Sequence, residues 1–173
     1  MFRLISHAYL KDKSIIDDNV DMKKLNPTIE DVQLLKIKPL LGTNLYDLIV
    51  SQASTATLSA NNKILLDEHI LRIMTNYIVS ESTDILKYRF MNKGVFSKSP
   101  ENAQNTDLKE LQYLSDKYKN VAESYADSMV HYIKSDTSKY PAYLTNSGID
   151  KVKPRGAYDC DIYLPEYYGK DWD

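Results

Sequence analysis

The chain's one thiol, Cys160, lies between two carboxylates in the run Asp159-Cys160-Asp161. Thiolates and carboxylates both bind metals, so the group invites a metal or redox reading. The flanking acids act against it, because negative neighbours disfavour the thiolate that either chemistry needs. Asp127 and His131 stand at i,i+4, which brings two side chains together on one helix face. With no further ligand pair nearby, they read as a solvated polar pair. Asp67, Glu68 and His69 are consecutive, so on a helix they fan apart instead of converging. His7, His69 and His131 are far apart in sequence. There is no phosphate-cradling loop, zinc-protease pattern, nucleophile elbow or CxxC pair. Lys93, Lys98, Lys151, Lys153 and Arg155 lie near aromatic residues, as in proteins that hold single-stranded nucleic acid, but acids are mixed among them. The expectation is therefore a protein without catalysis, cofactor or metal, and without nucleic-acid binding as its primary task.

Composition points the same way. A length of 173 residues with 43% hydrophobic content fits one domain with a segment to spare. The net charge of −2 carries no global attraction to nucleic acid. No apolar run approaches the ~20 residues of a membrane span, so no membrane contact is expected. MFRLISHAYLKDK has neither a continuous apolar stretch nor a small-residue cleavage site. Together with the single cysteine, this predicts a chain that works in a reducing cytoplasm. Only 5 glycines occur, too few for a turn-rich β-sandwich, whereas tyrosine occurs 14 times. Half of those tyrosines lie from Tyr132 onward.

The elements are read as follows. Residues 1–25 show no clean period and predict an irregular N-terminal arm, or else a strand-like arm that pairs with a neighbour. Asn26 as N-cap and Pro27 at the first position open a helix that turns Ile29, Val32, Leu34 and Leu35 inward and ends at Pro39. Pro39 and Gly42 make a tight bend, and Thr43 caps the next helix, with Leu45, Leu48 and Ile49 as its apolar stripe. After the polar linker SQASTATLSANN, a long helix runs from about Ala60 to Met91, bent near SESTD. It is followed by a polar stretch, Asn92 to Asp107, in which Asn92-Lys93-Gly94 suits a hairpin turn. From Thr106 or Asp107, the spacing of Leu108, Leu111, Leu114, Tyr118, Val121, Tyr125, Met129 and Tyr132 predicts seven helical turns with these residues inward. Pro141 stops that helix. Residues 146–173 have no period but hold Tyr158, Ile162, Tyr163, Leu164, Tyr167, Tyr168 and Trp172. Disordered tails are poor in aromatics, so this one is expected to dock, on its own domain or on another subunit. The fold class is thus mainly α: a helical bundle over 26–145, with an N-terminal arm, a long loop able to form a short hairpin, and an extended C-terminal tail.

The run NVDMKKLNPTIEDVQLLKIKPLLGTNLYDLIVS resembles the N-terminal signature of head-to-tail connector (adaptor) proteins of tailed bacteriophages, those of crAss-like and other Bacteroidetes phages nearest in pattern. The order that follows is similar too: a long central helix, a loop around NKGV, and a last long helix ending in KYPAYL. The likeness covers roughly Asn19 to Tyr143. Its most specific parts are IKPLLGTNLY, NKGV and KYPAYL, in that order. The resemblance implies a structural virion protein of the neck, assembled in the host cytoplasm as a ring of about twelve copies below the portal. Its partners would be itself, the portal protein, a downstream neck or tail protein, and DNA sliding through the channel without sequence-specific binding. The loop residues Asn92, Lys93, Gly94, Val95 and Phe96 and the aromatic tail residues are then candidate contact surfaces. The Pro39–Gly42 bend would set the wedge shape. The competing expectation is another helical interaction or adaptor protein without catalytic activity.

Overall fold

The computed structural model describes residues 1–91, 94–97 and 108–145. The protein is mainly helical. Its centre is an antiparallel pair, α6 (Leu71–Lys87) and α7 (Leu108–Ser135), the most extensive helix contact in the molecule. Around it pack α1 (His7–Lys13), α2 (Asn26–Val32), α3 (Lys38–Leu41), α4 (Thr43–Ser54), α5 (Ala60–Ile64) and α8 (Pro141–Leu144). Strands β1 (Tyr88–Met91) and β2 (Gly94–Ser97) form an antiparallel hairpin in which Met91 faces Gly94, as the NKGV turn signal anticipates.

The first 25 residues differ from the irregular arm expected of them. Ser6 Oγ accepts from the Tyr9 amide at 3.1 Å and starts α1, and Asp21 caps a 3-10 turn at Met22–Leu25. Leu4, Ile5, Leu10, Ile16, Met22 and Leu25 are all buried in the common core. The device that seats this segment is Gln33, which is fully buried. Its Oε1 accepts from the Leu4 amide at 2.9 Å, while its Nε2 donates to the Phe2 carbonyl at 3.0 Å and to the Tyr46 hydroxyl at 2.9 Å. A buried amide satisfied on both ends fixes one arrangement. Periodicity does not reveal it, because the segment is held through its main chain.

Pro39 does not end its helix. The chain stays helical from Asn26 to Leu41, with one π turn at Gln33–Ile37 in which the Lys38 amide bonds to the Gln33 carbonyl. The widened turn relieves the clash between a proline ring and the carbonyl four residues back. It also inserts one residue into the phase, so that Gln33 and Ile37 take the inward positions. Leu34 and Leu35, expected inside, are exposed, Leu35 by 68%. Asn26 is the first helical residue rather than the cap, and its Oδ1 instead bonds His7 Nε2 at 2.7 Å. A second π turn, Leu65–Ile70, joins α5 to α6 into one helical run from Ala60 to Lys87. SESTD lies within that run, which ends four residues before Met91 because the hairpin begins.

The break after Leu41 comes from Gly42, at φ 73° and ψ 158°, a region open essentially to glycine. Its amide closes α3 on the Lys38 carbonyl, and its carbonyl accepts the first bond of α4 from Tyr46. Gly42 thus takes the cap position expected of Thr43. In α4, Leu45, Tyr46 and Ile49 are buried and Leu48 is exposed.

The long helix α7 begins and runs as its spacing predicts, but its buried line is rotated. Ala122, Ala126, Met129, Val130 and Ile133 face the core, whereas Val121 and Tyr125 are exposed. Alanines at the centre let α6 approach closely, and the larger tyrosines are displaced to the flank. Across this pair Ser80 and Ser115 exchange bonds: each hydroxyl donates to the other's carbonyl, at 2.9 and 3.2 Å.

Two backbone positions make opposite predictions. Gly42→Ala forces a Cβ into its glycine-only region and should lower the unfolding free energy by roughly 1–3 kcal/mol. Ala56 ends α4 at φ 55°, with the Thr57 amide reaching back to the Gln52 carbonyl at 2.9 Å. Glycine is preferred at such a helix end, so Ala56→Gly should raise stability by about 0.5–1 kcal/mol. Urea unfolding of the two variants checks both signs, and unchanged midpoints would remove these conformations from the account.

Candidate interaction surface

KYPAYL places two tyrosines at the end of the bundle. After α7 a 3-10 turn at Thr137–Lys139 reverses the chain, and Pro141 opens α8 instead of only stopping α7. Tyr140 and Tyr143 are almost fully buried. The Tyr140 hydroxyl donates to the Asn61 carbonyl at 3.2 Å, tying α8's start to α5. Burial pushes both phenols above the ordinary tyrosine value, Tyr140 strongly so, and they remain neutral across the physiological range.

α8 in turn packs on α4. Asn44 Nδ2 donates to the Thr145 carbonyl at 3.1 Å, a contact across 101 positions of sequence. Asn44 belongs to IKPLLGTNLY, and Thr145 follows KYPAYL directly. Two of the three short motifs therefore meet in space, beside the Gly42 bend. They hold Thr145, the last described residue, against the start of α4. Nothing in the spacing of either motif announces this meeting, since each reads as a local helix signal.

Near the same end, His69 stacks on Tyr132 with ring centroids 4.6 Å apart, and Tyr132 lies tilted against Tyr140 at 6.1 Å. Asp67 and Glu68 are exposed while His69 is half-buried, so the three residues do fan apart. Asp127 and His131 are exposed on α7. Among the described residues no three potential metal ligands come together, and no described helix is long and apolar enough to cross a membrane.

Of the expected contact residues, Pro39 and Gly42 lie at this junction, and Gly94, Val95 and Phe96 lie in β2. Asn92, Lys93, Cys160 and the tail residues Tyr158, Ile162, Tyr163, Leu164, Tyr167, Tyr168 and Trp172 fall outside the described residues. A patch that the periodicity hid lies over α2 and α6. There Leu35 borders a shallow cavity of about 220 Å³ with Lys36 and Glu81. Lys36 Nζ is 3.9 Å from Glu81 and 5.5 Å from the centre of the Tyr77 ring.

A family model matches residues 37–152, two thirds of the chain. The chain belongs to DUF6712, a family of unknown function. The match to DUF6712 begins at the first residue of IKPLLGTNLY and takes in NKGV and KYPAYL, so the Asn44–Thr145 junction lies within it. No curated protein and no solved structure matches the chain.

The aromatic stack makes a pH prediction. Burial holds the His69 imidazole below its ordinary value of 6.5. As pH falls, the unfolded chain takes up the proton first, so this contribution to stability is full above about 6.5 and declines below it. The melting temperature should drop between about pH 7.5 and 5.5, and less steeply in His69→Phe, which keeps an aromatic ring but has no proton to gain. Equal slopes for the two proteins would exclude His69 as the source.

Proposed function

We propose that this protein is a head-to-tail connector of a tailed bacteriophage: a structural virion subunit that assembles into a ring below the portal, continues the DNA channel and offers a platform to the next neck or tail component. The observation that carries the reading is the Asn44–Thr145 junction. It joins IKPLLGTNLY to the residue following KYPAYL, two motifs on which the resemblance to connectors rests, into one structural unit.

The mainly helical fold supports the same reading. A ring subunit has to keep its shape while forming heterologous contacts that close on themselves. The paired helices α6 and α7, with the bend held at Gly42, provide a stiff body. The hairpin, the exposed Leu35 patch and the tyrosine-rich segment beyond Thr145 offer contact surfaces, and tyrosine is favoured at interfaces for its large area and polar tip. A net charge of −2 suits a channel wall along which DNA slides without sticking.

The test is native mass spectrometry of complexes purified through a tag on this chain from producing cells. A ring of about twelve copies bound to a larger ring-forming protein is expected. A bare monomer, or a one-to-one complex with a cellular protein, would overturn the connector reading in favour of a helical adaptor of another kind.

A further inference from the structure

A groove of about 280 Å³ opens between the loop after α1, the middle of α6 and the first third of α7. Its walls are mainly aliphatic: Ile15, Ile16, Val20, Val79 and Leu114, with Ser82 among them. Ser82 is 1% exposed, and its hydroxyl has no hydrogen-bond partner among the described residues. Other hydroxyls of α6 are engaged. Thr75 bonds the Leu71 carbonyl at 2.7 Å, Thr83 the Val79 carbonyl at 3.0 Å, and Ser80 pairs with Ser115. Leaving a buried hydroxyl unpaired is unfavourable, and the aliphatic walls offer this one nothing.

The loop that closes the groove is fixed by its own polar groups. Ser14 Oγ donates to the Leu10 carbonyl at 2.5 Å and accepts from the Ile16 amide at 3.1 Å. Asp17 then turns the chain: its carbonyl accepts from the Val20 amide at 3.1 Å and its carboxylate from the Asn19 amide at 2.9 Å. Sites for small ligands are usually preformed in this way. Asp17 also completes the lining on the exposed side. It makes no ion pair among the described residues, whereas the nearby Lys11 is taken by Asp18 at 3.7 Å.

We propose that this groove binds a small amphipathic amine: an apolar body with a hydroxyl at its buried end and an ammonium at its outer end. The inference goes beyond the ring reading above and does not rest on it. Size, polarity and charge select the class. At the ~30 Å³ that a water molecule occupies in the liquid, the groove holds about ten non-hydrogen atoms. The aliphatic walls select a hydrocarbon body. A ligand hydroxyl can both donate to and accept from Ser82 Oγ, which no purely apolar occupant does. Asp17 selects the sign of the outer end, through a contact that salt weakens because the carboxylate is exposed. Once bound, such a molecule ties the loop after α1 to α6 and α7 and stabilises the folded chain.

The test adds tyramine, a phenol carrying an ethylammonium chain, to the full-length protein and follows methyl NMR signals and melting temperature. The expected dissociation constant is on the order of 1 mM or tighter. The methyls of Ile15, Val79 and Leu114 should shift, and the melting temperature should rise with ligand concentration. Phenethylamine, which lacks the hydroxyl, should bind about fivefold more weakly, the loss of one net hydrogen bond. The anion 4-hydroxyphenylacetate should also bind more weakly, by up to about fivefold at low salt. In Ser82→Ala the preference for the hydroxyl should vanish, while the ligand-free variant melts no lower than wild type because it loses no bond. In Asp17→Asn, which keeps an acceptor for the Asn19 amide, the preference for the cation should vanish. Absence of tyramine binding at millimolar concentration, or shifts confined to other parts of the molecule, overturns the inference. So does equal affinity for tyramine and phenethylamine, a hydroxyl preference that survives Ser82→Ala, or tighter binding of the anion. A lower melting temperature for ligand-free Ser82→Ala would show that the hydroxyl is already paired, and would overturn it too.

Discussion

The structure depends on the close approach of α6 and α7. Ala122 and Ala126 are buried and bring almost no side chain to the core, and further along the pair Ser80 and Ser115 bond each other's carbonyls. Apolar burial supplies most of the driving force along the pair. The serine exchange adds register, since a shift along the axis would break the bonds of both hydroxyls at once. The other helices are fitted to this axis. α2 lies against α6, and the reversal after α7 carries α8 onto α4.

Helical class was legible from sequence because three signals agreed: few glycines, long three-four periodicity and well-placed prolines. The span of α7, the glycine at the bend and the turn between β1 and β2 followed from local chemistry alone. What was not legible lies where tertiary structure chooses among apolar faces. The stripe through Val121 and Tyr125 is as regular as the one through Ala122 and Ala126, and a count of large apolar residues favours the wrong one. The partner helix favours the small residues. Leu34 and Leu35 were misplaced for a different reason. A π turn shifts the phase by one residue, and a reading that assumes a constant period carries the error forward.

Polar side chains account for the remaining differences. Gln33 seats the first five residues by bonding their main chain, so the apolar pattern of FRLI carries no sign of it. The junction of Asn44 with Thr145 is equally silent, because both residues are ordinary in their local setting and meaningful only together. Such contacts join segments far apart in sequence, while propensity and periodicity act within a window of a few turns. The candidate contact surfaces divide the same way: bend and hairpin were readable locally, whereas the α8 junction and the exposed Leu35 patch depend on tertiary structure.

The two π turns also bear on mechanics. Each lets a helix change the side it offers to its neighbours partway along without a glycine. A rod of this kind can hold one partner with its first half and a different one with its second. Between α2 and α4 the helical run ends at Gly42, so the change of direction there is set by a single residue.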